Sequence, residues 1–468
     1  MTVKHFFDTV KTKDKQMEDY KGKKITVMGL GLNGGGLEAA RFFASKGAEV
    51  TVTDLRTADI LKPTMDKLAE FDIRYVLGRH DFADFENADI VIKNPAVPLT
   101  SPYLAKAKRT ETDISVFLSE FHGDIIAVTG SKGKSTTVSA IYHACRKLKQ
   151  DTFLGGNITI SPLSFLHQLT EKSLVILELS SWQLADIMGR NLLRPKVAAI
   201  TNIMHEHQNR YSSVQEYADD KKVIYQSQDR SQFTVCSNGD SYGQQFFDET
   251  PGHPIWISDR NMGLDEQIWL ENGKGYIRIN GRTEEILPEK LLVPGEHNRQ
   301  NLLMAAAVMY LYGFGSSEVS DAIKDFPGIP HRLEFVRELD GRFYYNDTTA
   351  TIPQASNAAV KSFEKPVILI AGGTDKNLIF DMVPETAQLA KKMILLKGSG
   401  TDRMIAELDK AGCSYEGPFG SLEEAIEKAR GCSDEGDVIL FSPGCTSFEM
   451  FKNEFDRGNT FRDSVNRL

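Results

Sequence analysis

Twice in this chain a short β-branched run breaks at a glycine-rich turn and passes at once into an amphipathic stretch, and nothing else in the sequence restricts the fold as strongly. The first instance, residues 23–54, reads KKITVMGLGLNGGGLEAARFFASKGAEVTVTD: a strand, a glycine turn, a helix period and a second strand ending on Asp54. The second runs from a strand at 125–128 through TGSKGKST into a helix over about 136–149. Strand–helix–strand units of this kind build parallel sheets with helices on both faces, so two such starts predict two sheets. Alternation resumes at 367–370, 393–396 and 438–441, with helical stretches such as 421–430 between, which predicts a third α/β layer structure. Between them, residues 234–279 read as shorter alternating strands with Asn-Gly and Gly-Asp turns. A chain of 468 residues at roughly 150 per domain accommodates three domains. The expected division is 1–117, 118–327 and 328–468, the last boundary falling at the proline-rich FPGIPHRLE segment.

Composition narrows the function classes. Lys plus Arg number 55 against 64 Asp plus Glu, a net charge of −9 that argues against a broad electrostatic hold on nucleic acid. Any anionic ligand must therefore be held by local features. Five scattered cysteines without a C-x-x-C spacing indicate neither a disulfide framework nor a structural zinc site, which fits a reducing cytoplasm. The longest apolar stretch, near residues 302–311, falls well short of the 18 or so residues of a membrane span, so a cytosolic protein without membrane insertion is expected.

The chemistry concentrates at strand ends. Gly29-x-Gly31-x-x-Gly34 lies between a strand and a helix, where missing β-carbons let backbone N–H groups approach a phosphate, and Asp54 is placed to bond a ribose or base edge. A plain tight turn is the bland alternative. Gly130-Ser131-Lys132-Gly133-Lys134-Ser135-Thr136 is a shortened phosphate loop: its spacing is G-x-x-G-K-S, yet backbone donors, the Lys134 ammonium and the Ser135 hydroxyl suit ATP phosphates and magnesium. Glu178 ends the buried run LVILE, where doubly wound sheets assemble ligand sites, and is a plausible magnesium ligand. His205, Glu206 and His207 cluster after another apolar strand; alone they would pass for ordinary loop residues.

Taken in order, TGSKGKST, LELSSWQL, TNIMHEHQNRY, PGEHNRQN, GIPHRLE and LFSPGCTSFEMFKN resemble the Mur ligase family, ATP-dependent amide-forming enzymes of peptidoglycan precursor synthesis, across all three inferred domains. The similarity is greatest to the glutamate-adding type. It implies an N-terminal Rossmann-like domain that binds a UDP-sugar, a central P-loop-type ATPase sheet and a C-terminal Rossmann-like domain that binds glutamate. Leu32, Asn33, Asp54, Arg56 and Asn94 become candidates around the uridine diphosphate, and Asn157 a candidate near the reacting carboxylate. Lys134 and Ser135 would hold ATP phosphate and magnesium, Glu178 one magnesium ion, and His207 a second. Lys221 of YADDKKVIY matches the family's carbamylated lysine, with Lys222 leaving the register open. Asn298 and Asn301 match adenosine contacts, and Arg332 and Asp347 match residues around ATP. Thr351, Lys376, Ser447 and Phe448 match the glutamate pocket. The implied substrates are UDP-N-acetylmuramoyl-L-alanine and D-glutamate, and the expected state is a monomer.

Two positions depart from the family pattern beside that last pocket. Thr349 stands where a lysine is usual, and Glu454 where an aromatic residue is usual. An L-glutamate acceptor therefore stays open at this level. A nicotinamide-dependent dehydrogenase built on the Gly29 motif, the alternative from another class, leaves the Lys134 loop and Glu178 without a role.

Overall fold

The structure, a computed structural model, describes residues 18–32, 34–205 and 210–468. The chain forms two compact units, one of Met1–Glu289 with Asn301–Ile323 and one of Lys290–Gln300 with Lys324–Leu468.

Two sheets fill the first unit. The smaller has five strands, all parallel, in the order Ile73–Leu77, Glu49–Asp54, Lys24–Met28, Ile90–Lys93, Thr110–Glu111. Its central strands are buried at nearly every position because both faces are covered, as a parallel sheet demands. The larger sheet has nine strands, with the strand Asp124–Thr129 that leads into the lysine-bearing loop lying between Val197–Ile200 and Leu174–Glu178. All three run parallel, so their C-terminal ends, Thr129, Glu178 and Ile200, lie along one edge. Ligands gather at that edge in doubly wound sheets. Beyond Val197–Ile200 the parallel order continues through Phe233–Ser237 and His253–Ser258 to Gln267–Glu271.

Here the structure corrects the expectation for residues 234–279. Helix Gly243–Glu249 intervenes, and Asn238-Gly239 leads toward it instead of closing a hairpin. The hairpins come later, at Asn272-Gly273 and Asn280-Gly281, where both residues of each pair have positive φ (50° and 76°, 52° and 72°). Such turns match strand twist, and Asn-Gly supplies the backbone freedom they need.

The second unit holds a six-stranded sheet in the order Glu334–Leu339, Arg342–Asn346, Val438–Phe441, Val367–Ala371, Lys392–Leu396, Glu416–Phe419. The first pair is antiparallel and the rest parallel. Helices cover both of its faces, giving two apolar clusters, one around Leu369, Leu395 and Leu440 and one around Ile370, Ile439 and Phe441.

Candidate active site

The loop after Asp124–Thr129 is shaped by backbone contacts. Gly130 has φ 138°, and a β-carbon there would lie 2.0 Å from Thr201 Oγ1, so only glycine fits. Its neighbours are fastened to the next strand end: Ser131 N–H donates to Asn202 O at 2.8 Å and Lys132 N–H to Asn202 Oδ1 at 2.9 Å. Thr201 Oγ1 donates to Lys132 O at 2.6 Å. Gly133 then opens helix Lys134–Leu148, two residues earlier than the apolar period alone suggests, and Ser135 and Thr136 occupy its first turn. The Lys134 ammonium turns back to donate to Gly130 O (2.9 Å) and Ser131 O (2.7 Å), which places a cation at the N-terminus of the helix. Asn301, in the same unit, meets the loop at Gly133.

Glu178 sits one strand away, 1% exposed. Its Oε1 accepts from Asn157 Nδ2 at 2.9 Å, whereas Oε2 is buried without a hydrogen-bond partner. An unpartnered buried acceptor costs about 1–3 kcal/mol, and more when charged. A site that tolerates this is one that expects a cation, and the hard oxygen donor suits magnesium. The approach of Asn157 depends on Gly156, at φ 100°, whose missing β-carbon would otherwise lie 2.1 Å from Glu178 O.

Helix Val214–Lys222 presents adjacent lysines to different surroundings. Lys221, 1% exposed, donates to Gly130 O at 2.9 Å and stands over the Tyr217 ring at 4.4 Å. Lys222 pairs with Asp219 and Glu249 at 2.8 and 2.7 Å; burial works against its charge, but those carboxylates hold its pKa above the ordinary value. Lys221 is thus the one that faces the loop. His205 is exposed, and His207, together with Glu206, lies outside the described residues.

These groups share a cavity of about 360 Å³ with the first sheet's domain: Lys134, Asn157 and Lys221 line it together with Asn94 and Asp113. Asp113 is a residue that sequence reasoning missed. Ser161 Oγ donates to its Oδ2 at 2.8 Å, and burial raises its pKa against that bond. A second cavity, of about 510 Å³, is lined by Leu32, Asp54, Arg56, His80 and Asn94. Asp54 itself is a brace: its two oxygens accept from Gly31 N–H (3.1 Å) and Arg56 N–H (2.9 Å) and so shape the wall. Asn33 lies outside the described residues. His80, also missed, has Nδ1 2.7 Å from Thr53 Oγ1 at the back of this cavity.

In the second unit, Asn298 donates to Pro294 O at 2.7 Å, and Arg332 is exposed. Asp347 accepts from Leu333 N–H (3.1 Å) and Ser442 Oγ (2.7 Å). Burial pushes its pKa up to about 6 in spite of those bonds. A carboxyl whose folded-state pKa exceeds its unfolded value loses stability as pH rises between the two, here from about 4 to 6, and stays penalised above. Asp347→Asn keeps an acceptor for Leu333 and can donate to Ser442. We expect it to be more stable than the parent at pH 7.5, by up to about 3 kcal/mol, and to unfold at a higher temperature, with the advantage gone at pH 4 in calorimetric scans.

Arg457, 1% exposed, ties the surrounding loops together by donating to Thr348 O (2.8 Å), Cys445 O (3.0 Å) and Thr446 O (3.1 Å). Nearby, Ser447 Oγ is buried without a partner, and the Lys376 ammonium lies 4.8 Å above the exposed Phe448 ring. Thr351 is half-buried on the next turn of the Asp347 loop. Thr349, in place of a lysine, donates to His331 O at 2.9 Å, and Glu454 O accepts from Thr348 Oγ1 at 3.0 Å. The Glu454 backbone thus lies against the residue next to Thr349.

Comparison with known proteins decides the family. Residues 23–116 match a model of the Mur ligase MurD-like N-terminal domain, 128–309 the Mur ligase middle domain and 331–445 the Mur ligase glutamate ligase domain. The UDP-N-acetylmuramoylalanine--D-glutamate ligase of Borreliella afzelii is 42% identical over 97% of this chain and 100% of its own. That of Treponema pallidum is 36% identical over 95% and 98%. The chain belongs to the Mur ligase family. It is therefore an ATP-dependent, amide-bond-forming ligase, and the dehydrogenase alternative falls. Mur ligase structures share the fold at low identity: the UDP-N-acetylmuramate-alanine ligase MurC of Thermotoga maritima superposes with a TM-score of 0.56 at 18% identity over 95% of this chain and 99% of its own. MurF of Acinetobacter baumannii gives 0.56 at 15% identity over 91% and 92%. Among the described residues no helix is long and apolar enough to cross a membrane.

Proposed function

We propose that this chain joins D-glutamate to UDP-N-acetylmuramoyl-L-alanine at the expense of ATP, in peptidoglycan precursor synthesis in the cytoplasm. The observation that carries this reading is the shared cavity, in which the lysine of the phosphate loop and a loop of the first sheet's domain face the same space. A carboxylate does not acylate an amine at neutral pH, because its oxygen leaves poorly. In the proposed sequence the alanyl carboxylate oxygen attacks the γ-phosphorus, the bond to the bridging oxygen breaks, and ADP departs. The glutamate amine then attacks the acyl carbon, the carbon–oxygen bond to phosphate breaks, and the amine loses its proton.

Within that scheme Lys134 and the N-terminus of the helix it opens stabilise charge on the moving phosphoryl group. Glu178 and Ser135 would hold one magnesium ion, and His207 with a carbamylated Lys221 a second; magnesium bound there would offset repulsion between the anionic reactants. Carbon dioxide added to Lys221 Nζ makes a carbamate anion in place of an amine, and support for this comes from the burial of that side chain against the phosphate loop. Asn157 orients Glu178, while Leu32, Asn33, Asp54, Arg56 and Asn94 serve the uridine diphosphate. Asn298, Asn301, Arg332 and Asp347 serve ATP. Thr351, Lys376, Ser447 and Phe448 serve glutamate, whose carboxylates call for a cation and hydroxyl donors. The working form is a monomer of three domains divided at 117 and 327.

The test compares glutamate enantiomers. With ATP, magnesium and UDP-N-acetylmuramoyl-L-alanine, phosphate release is expected with D-glutamate, and with L-glutamate at less than about a hundredth of that rate, as suits a site whose fixed polar groups are left unpaired by the wrong isomer. Equal rates would contradict the assignment of the acceptor.

A further inference from the structure

The domains built on the two sheets of the first unit meet along a seam that contains a fully buried ion pair. Lys93 Nζ donates to Asp186 Oδ2 at 2.6 Å, and both side chains are 1% exposed. Lys93 ends strand Ile90–Lys93, directly before the Asn94 loop that lines both cavities. Asp186 ends helix Ser181–Ala185, whose Ser181, Trp182 and Gln183 line the shared cavity from the central domain. One bond thus joins two walls of the same space. Arg210 ties the same walls a second time, with its guanidinium 4.4 Å from the Trp182 ring and Nη1 3.4 Å from Pro95 O.

Stability does not explain the pair. Apolar residues of similar volume hold a buried seam as well as an ion pair or better, because two charges need not be desolvated. Asp186 Oδ1 is moreover left buried without a hydrogen-bond partner, a poor arrangement if holding the seam were its whole purpose. What an ion pair adds over an apolar contact is a directed bond of fixed length.

We propose that Lys93 and Asp186 are positioning residues, which set the spacing between the Asn94 loop and the helix after Glu178 so that the far end of the sugar-nucleotide meets the transferable phosphate. The inference rests on the ligase reading given above. Neither residue touches a substrate in this account; each acts through the wall it holds. Because the larger cavity is made by the first domain alone, uridine diphosphate binding survives loss of the pair, and only the alignment of the acyl carboxylate is lost.

The experiment is steady-state kinetics of Lys93→Met/Asp186→Leu, which fills the space without charge. Misplacement of reacting groups by about 1 Å costs up to about 10²-fold. We expect kcat to fall about 10- to 100-fold while KM for the sugar-nucleotide and for ATP and the melting temperature stay near parental values. Asp186→Glu, which keeps the charges but lengthens the arm, is expected to lower kcat in the same sense and covers the case in which the double variant does not fold. Arg190→Gln is the control: it breaks another pair across the seam, with Glu111, that lines neither cavity, and kcat should not change. Parental kcat in the folded double variant or in Asp186→Glu, or a loss expressed wholly as raised KM, would overturn the proposal. A parent enzyme that releases no phosphate with the sugar-nucleotide and D-glutamate would instead overturn the ligase reading beneath it.

Discussion

Lys134→Ala is expected to lower kcat by about 10³-fold while leaving the fold intact. Removing one fixed donor to developing charge typically costs 10²–10³-fold, and Lys134 supplies a full charge among dipoles. The fold survives because the loop is held by other bonds: Ser131 and Lys132 N–H to Asn202, and Thr201 to Lys132 O. The two hydrogen bonds that the alanine cannot make, to Gly130 O and Ser131 O, are each worth about 1 kcal/mol. A melting temperature within a few degrees of the parent, together with collapsed phosphate release, is the expected pair of observations. Substantial turnover in this variant would remove the phosphate-loop assignment.

Glu178→Gln is expected to separate activity from stability in the opposite direction. The side chain keeps an acceptor for Asn157 but loses the charge that a magnesium ion would meet. Metal-assisted charge stabilisation is worth several kcal/mol, so kcat should drop by about 10³-fold and the magnesium concentration for half-activity should rise. In the metal-free protein the same change removes a buried carboxylate charge whose Oε2 has no partner. Unfolding temperature without magnesium should therefore hold or increase, and added magnesium should raise it less than in the parent. Unchanged magnesium dependence in this variant would contradict the role given to Glu178.

What could be read from the sequence follows from how far apart the cooperating residues lie. The turn of Gly130 to Ser135 and the placement of Glu178 at a strand tip are local patterns, legible from one window each. The choice between Lys221 and Lys222 was not legible, since helix periodicity assigns adjacent residues to different faces without saying which face meets the loop; the bond from Lys221 to Gly130 O answers that in space. Asp54 was legible as a strand-end carboxylate, but its commitment to two backbone N–H groups was not. Strand Thr152–Gly156 is not legible because its two glycines break the β-branched pattern, nor is helix Gly243–Glu249, a short and largely polar segment next to turn residues. Lys93 and Asp186 are 93 positions apart, and nothing in either local sequence announces the other.

In the proposed mechanism the loop around Lys134 passes the γ-phosphoryl group to the carboxylate of the sugar-nucleotide. Its most direct test uses UDP-N-acetylmuramoyl-L-alanine carrying ¹⁸O in the alanyl carboxylate, with ATP, magnesium and D-glutamate, and mass analysis of the phosphate released. One ¹⁸O atom is expected in each phosphate, carried over when the carbon–oxygen bond of the acyl phosphate breaks. Phosphate free of ¹⁸O, formed at the rate of amide bond formation, would contradict it.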